Sequence, residues 1–277
     1  MIQKSIDIWE GFDFVSKSTV NPRPKLTTYI LSGEKVRGAV LILPGGSYEF
    51  TSPREAEPVA LQYTAAGYNA FVLEYSVAPN RFPQALQDTC RALTMIRQHA
   101  ADWHTDADKI AVCGFSAGGH LAASHAVFWN RPELFSTAGL NNKSVKPNAL
   151  ILAYPVITSG EFRHDGSIQN LLGADVSPEM LEMISLENQV SACTPPTFIW
   201  HTFEDEGVPL ENSLLYASAL RKHNIPFELH IYPQGSHGLS LASKETANEM
   251  HIANSHIATW LELSIEWLKL TFNETDL

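Results

Sequence analysis

Apolar positions along this chain fall into two alternating rhythms. Largely apolar runs at residues 38–43, 69–75, 109–115, 149–154, 197–202 and 227–232 have the length of strands, and the uninterrupted run at 38–43 is of the kind covered on both faces. Between them, apolar side chains recur every third or fourth residue, the period that gives a helix one buried side. Residues 54–66 close on Gly67, and a helix opened by Pro83 carries Leu86, Cys90, Leu93, Ile96 and Ala100 on one side. Residues 210–223 and a last segment with Ile257, Trp260, Leu261, Ile265 and Leu268 repeat the pattern. Strand and helix in alternation predict an α/β fold with a mostly parallel central sheet and helices on both faces. Residues 26–31 read as a peripheral strand, and Asp88 as a solvated or locally paired charge.

The rhythm fails between residues 156 and 193, where Gly160, Gly166, Gly173 and Pro178 punctuate two short helical segments near 169–172 and 179–184. Long irregular connections inside compact domains usually serve as lids or binding loops, so a small cap over the C-terminal edge of the sheet is expected here. His164, within it, is expected at the surface. At 277 residues the chain can bury one sizeable core, and residues 1–277 are read as a single domain carrying this insertion.

The densest chemical signal is Gly114-Phe115-Ser116-Ala117-Gly118, wedged between an apolar run and an Ala/Leu-rich helical stretch. Such a strand-to-helix turn strains the serine backbone and lifts its hydroxyl into the open, and side chains two residues to either side would collide with it. The first N–H groups of the new helix lack intrahelical partners and face the place where a negative oxygen would form, so Ala117 N–H is a candidate donor. Pro44-Gly45-Gly46-Ser47-Tyr48 ends the run at 38–43, and its backbone N–H groups, those of Gly46 and Ser47 above all, are candidates for the same oxyanion.

A serine hydroxyl needs a base within reach and a group that orients the base. Of the eleven histidines, only His237 lies in a glycine-flanked loop after the last predicted strand. His120 and His125 fall on the helix after Ser116, where packing or capping is expected, and His201 falls inside a strand. The acid comes from Glu204-Asp205-Glu206, with Asp205 preferred because Val208-Pro209 follows it at the usual spacing. The order Ser116, Asp205, His237 is the order of the triad in α/β-hydrolases.

These four motifs, at residues 43–48, 114–120, 205–209 and 235–238, together resemble the small bacterial α/β-hydrolase esterases. That group is related to acetyl and feruloyl esterases acting on carbohydrates and, more distantly, to the hormone-sensitive-lipase-like group. Pro44 stands where the lipase-like group has His, and Ser47 replaces its third Gly. The resemblance implies an α/β-hydrolase fold and a serine ester hydrolase that needs neither metal nor organic cofactor. A peptidase on the same fold and a non-catalytic ligand-binding homologue are the alternatives. Tyr48 and Phe50, beside the oxyanion loop, would restrict the acyl group to short chains, while Tyr154, Gln169 and Trp200 would line an open cleft suited to a sugar.

Charge narrows the partners. A net charge of −11 without a basic stripe excludes a nucleic-acid backbone as ligand and leaves a small-molecule ester, with self-association open. Cys90, Cys113 and Cys193 have neither disulfide-framework nor zinc spacing. The first ten residues lack a signal-peptide apolar region and no apolar stretch is long enough to span a bilayer, so a cytoplasmic location is expected.

Overall fold

The structure is a computed structural model describing residues 1–135 and 140–274. Eight strands form one sheet: β1 (Ile2–Asp7), β2 (Lys25–Ile30), β3 (Arg37–Leu43), β4 (Asn69–Glu74), β5 (Thr105–Phe115), β6 (Ala149–Ala153), β7 (Thr197–Thr202) and β8 (Phe227–Tyr232). Their order is β1-β2-β4-β3-β5-β6-β7-β8. β1 and β2 run antiparallel to their neighbours, and all pairs from β4 to β8 are parallel.

Alternation of side chains across the pleat explains the unbroken apolar runs. Ala39, Leu41 and Leu43 of β3 enter one core and Val40 and Ile42 the other, and β5 divides Ile110 and Val112 from Ala111, Cys113 and Phe115 in the same way. Helices α2 (Gln84–Gln98), α3 (Ser116–Phe128) and α7 (Glu211–Lys222) contribute Leu93, Leu121 and Leu220 to the first core. Helices α1 (Glu57–Ala65) and α8 (Trp260–Thr271) contribute Tyr63, Trp260 and Leu268 to the second.

The strand order places the chemistry. The chain leaves β3 for β4 on one side and then returns to β5 on the other, which makes a switch point outside the carboxyl ends of β3 and β5. Leu43 and Gly114 are register partners there, so the loop after β3 and the turn after β5 begin side by side.

The structure departs from the sequence reading at four points. β1 was hidden, because its residues are mostly exposed at a sheet edge and show no apolar alternation. The helix at 54–66 splits into a 3₁₀ turn, Pro53–Glu55, and α1, with Pro58 seated in the first turn of α1. Asp88 is fully buried rather than solvated: it accepts hydrogen bonds from Trp9 Nε1 at 2.7 Å, Ser76 N at 2.8 Å and Gln84 Nε2 at 3.2 Å. Burial pushes its carboxyl up from the ordinary value, and those donors oppose the rise.

Helix α4 (Asn142–Val145) precedes β6, and the connection from β6 to β7 carries α5 (Asp165–Leu172) and α6 (Pro178–Ile184). His164 caps α5, its Nδ1 accepting from Ser167 N at 3.1 Å, and is half-buried rather than a surface residue.

Candidate active site

Ser116 opens α3 directly from the last residue of β5, with φ of 52°. That left-handed backbone is costly for a residue with a Cβ and is held by packing on both sides. A Cβ on Gly114 would lie 2.2 Å from Gly118 O, and one on Gly118 would lie 2.2 Å from Leu43 O and 2.4 Å from Pro44 O. The two glycines are therefore required by space, and the start of α3 rests against the end of β3.

Ser116 Oγ lies 2.8 Å from His237 Nε2, and His237 Nδ1 lies 2.7 Å from Asp205 Oδ2. A carboxylate only accepts, so the imidazole proton sits on Nδ1 and Nε2 is free to accept from the serine hydroxyl. Asp205 Oδ1 accepts from Gly207 N at 2.9 Å and Val208 N at 2.8 Å. Burial alone would raise the Asp205 carboxyl. The hydrogen bonds from His201 and His237, the His237 charge and the Val208 N–H outweigh it and hold the group well below the usual carboxylate range.

Glu204 and Glu206 are exposed, and Glu204 Oε2 instead accepts from Gly235 N at 3.0 Å. His201, expected only as a strand residue, adds a second imidazole to the acid: its Nε2 lies 3.2 Å from Asp205 Oδ2 and 3.0 Å from Val208 O. Both are acceptors, so Nε2 carries the proton and Nδ1 faces Ser213 Oγ at 2.7 Å.

The loop after β3 is fastened at every residue from 44 to 48. Tyr75 OH donates to Pro44 O at 2.6 Å, Gly45 N to Glu55 Oε2 at 2.8 Å, and Glu49 N to Gly46 O at 2.8 Å. Asn170 Nδ2 of α5 donates to Ser47 O at 2.9 Å, and Ala78 N to Tyr48 O at 2.7 Å. Gly46 has φ of 124°, and a Cβ there would lie 2.2 Å from Phe50 O. Ser47 and Tyr48 follow in the left-handed region at 56° and 57°.

Several expected cleft residues lie elsewhere. Tyr48 is buried, its ring against Tyr75 and His120 and its hydroxyl 2.9 Å from His120 Nδ1, so it underpins the loop rather than facing an acyl group. Trp200 is fully buried and stacked on Trp260 with ring centroids 5.1 Å apart, which removes it from any open cleft. Tyr154 is also buried, its ring edge-on to His237 at 5.1 Å. Gln169 is exposed, and the side chain of α5 that reaches the loop after β3 belongs to its neighbour Asn170. Phe50 alone among the aromatic candidates is open to solvent, at 46%. Beside His237 lies a cleft of about 570 Å³ lined by Glu204, Glu206, Gly207, Ser236, Met250 and His251.

The chain is similar to known proteins. Residues 31–220 match the BD-FAE family. An endo-1,4-β-xylanase B of Butyrivibrio fibrisolvens is 38% identical over 86% of this chain and 38% of its own length. An acetylxylan esterase of Xylanibacter ruminicola is 30% identical over 74% of this chain and 42% of its own. The chain thus spans about two fifths of these curated relatives. Among solved structures, an acetyl ester-xyloside bifunctional hydrolase from Caldicellulosiruptor lactoaceticus superposes with a TM-score of 0.84 at 37% identity, covering 96% of both chains.

Proposed function

The chain belongs to the BD-FAE family of α/β-hydrolase esterases, and from that membership we propose a serine ester hydrolase in which Ser116, His237 and Asp205 form the catalytic triad. The observation that carries this reading is the continuous contact from Ser116 Oγ to His237 to Asp205, at 2.8 and 2.7 Å, on a serine held in a left-handed turn.

The chemistry follows from the donors. His237 Nε2 takes the hydroxyl proton as Ser116 Oγ bonds to the ester carbonyl carbon, and the resulting oxyanion is met by the N–H groups of Gly46, Ser47 and Ala117. Collapse expels the alcohol, whose oxygen receives the proton from Nε2. Water, activated by the same nitrogen, then hydrolyses the acyl-serine. Asp205 keeps the imidazole in the tautomer that both halves require. Protein groups and water close every step, so neither metal nor organic cofactor is called for.

The substrate reading is a short acyl group on a carbohydrate alcohol. Phe50 supports the first part: its ring sits against Gly46, with Cδ2 3.1 Å from where a Cβ would be, and narrows the space beside the oxyanion loop. The polar cleft next to His237 supports the second, because the leaving oxygen departs on the side of its proton donor and hydroxyl-rich groups find Glu204, Ser236 and His251 there. The similarity to an acetylxylan esterase and to an acetyl ester-xyloside hydrolase points the same way. The exposed free thiol of Cys193 supports a reducing, cytoplasmic setting.

The test is kcat/KM across aryl esters from acetyl to decanoyl, then acetate release from acetylated xylo-oligosaccharides, each with Ser116→Ala beside the unmodified chain. A tight pocket discriminates by about 1–3 kcal/mol per methylene, so activity should fall steeply beyond butyryl. A maximum at octanoyl or longer would replace the short-acyl reading. Hydrolysis persisting in Ser116→Ala would overturn the mechanism.

A further inference from the structure

The oxyanion loop and the loop bearing His237 leave strands that are not neighbours: β3 and β8 are separated in the sheet by β5, β6 and β7. No ladder between those two strands can set one loop against the other. Yet a nucleophile, a base and an oxyanion site work only when held within a fraction of an ångström of one another.

The tie runs through the dipeptide Arg54-Glu55. Glu55 is buried, and its carboxylate accepts on both oxygens: Oε2 from Gly45 N at 2.8 Å and Oε1 from Tyr154 OH at 2.7 Å. The Tyr154 hydroxyl in turn accepts from Ser240 N at 2.8 Å, three residues beyond His237. Ser240 Oγ returns to Arg54 O at 2.6 Å, and Arg54 Nη1 holds Gly238 O at 2.9 Å. Gly45 has no room for a side chain beside the carboxylate, since a Cβ there would lie 2.8 Å from Glu55 Oε2 and 3.0 Å from Ser116 Cβ.

Resting on the triad reading above, we propose that Glu55 is a positioning residue that, through Tyr154, holds the oxyanion loop in register with the loop that carries His237. Burying a carboxylate is expensive unless it is fully hydrogen-bonded, and every partner of this one belongs to a loop of the site or leads to one. Replacing one oxygen by an amide nitrogen removes an acceptor from either Gly45 N–H or Tyr154 O–H and so releases one loop from the other. Tyr154 completes the link while its ring packs edge-on to His237, so a loose hydroxyl also frees the imidazole to tilt.

The test compares Glu55→Gln, Tyr154→Phe and their combination with Ser116→Ala and the unmodified chain, measuring kcat and KM on p-nitrophenyl acetate together with thermal melting. The expected result is a loss in kcat of about 10- to 100-fold in each single variant, as for a displacement on the order of 1 Å among reacting groups, with KM changed by less than about threefold. The double variant should be no worse than the more severe single one, because both interrupt one chain of contacts. If Glu55→Gln does not fold, Tyr154→Phe decides by the same kcat and KM measurements, since it removes one oxygen and leaves the ring in place. Folded variants with kcat intact, or with KM raised and kcat unchanged, would overturn the assignment. Ser116→Ala separates the two levels: activity lost there but retained in Glu55→Gln removes the positioning role alone, whereas activity retained in Ser116→Ala removes both.

Discussion

His201 donates from Nε2 to Asp205 Oδ2 at 3.2 Å, the oxygen that also receives His237 at 2.7 Å. With Gly207 and Val208 N–H on the other oxygen, Asp205 is held by four donors, and its rotation is fixed before substrate arrives. Removing His201 takes away one of them and leaves Val208 O and Ser213 Oγ without a buried partner. A hydrogen bond to a charged group contributes about 1.5–3 kcal/mol, so His201→Phe should lower kcat by roughly 10- to 100-fold. Steady-state kinetics on p-nitrophenyl acetate at pH 8, with a melting curve, checks this. An undiminished kcat would show that the remaining donors suffice.

The acid assignment has a sharper test. Asp205→Asn should cost on the order of 10⁴-fold in kcat by favouring the wrong His237 tautomer. Glu204→Gln and Glu206→Gln should change it by less than about threefold, because both side chains are exposed and neither reaches His237. A reversal of that ranking in side-by-side kinetics would move the role to a neighbour.

Acid should weaken the fold through two histidines on α3. Burial holds His120 and His125 down to about 4 from the ordinary 6.5, and hydrogen bonds to Ile184 O and Val145 O only partly oppose it. For His125 the reason is visible: Nε2 is spent on Val145 O, and Nδ1 has no partner among the described residues, so an added proton would be stranded. Between pH 6.5 and 4 the unfolded chain binds protons that the folded chain refuses. Stability is therefore complete above pH 6.5 and falls as pH drops through that window, by about 3 kcal/mol for each histidine. Urea midpoints from pH 7.5 to 4 should show the fall, and His125→Gln should make it shallower. An identical slope in that variant would refute the attribution.

Gly118→Ala should be disabling, because its Cβ would lie 2.2 Å from the carbonyl oxygen of Leu43 and the turn has no slack. Overpacking of this kind costs about 1–3 kcal/mol where neighbours can shift, and backbone cannot shift cheaply. Gly166→Ala, whose nearest neighbour would be His164 Cε1 at 3.4 Å, is the matched control and should be close to neutral. Melting temperature and kcat for the pair decide it.

What the sequence disclosed was local. Gly114 and Gly118 are legible around Ser116 because the turn's steric demand falls within five consecutive residues, and the buried strands are legible because each must be apolar on both faces. Contacts between distant segments left no such mark. Glu55 sits in a helix-like stretch beside another glutamate, and nothing in that spacing says that one carboxylate is buried and the other is not. Asp88 is two residues from both Leu86 and Cys90, which reads as the solvent side of α2 until Trp9 arrives from the segment that follows β1. Asn170 rather than Gln169 meets the loop after β3, a difference of about 100° around a helix whose docking angle only the fold supplies. Trp200 and Tyr48 misled for the opposite reason: large aromatic side chains near a site can serve as its foundation as readily as its lining.

Ser240 O accepts the indole N–H of Trp260 at 3.0 Å, and Trp260, at the head of α8, is buried against Phe115 and Trp200. The loop that presents His237 is thus braced from behind by the last helix. During synthesis, Ser116 and Asp205 therefore emerge before the helix that braces the His237 loop. The same contact makes the segment joining the His237 loop to α8 a linkage on which the brace depends. A nick between His237 and Trp260 would leave Ser116, Asp205 and His237 uncut while severing the covalent link between the His237 loop and its brace.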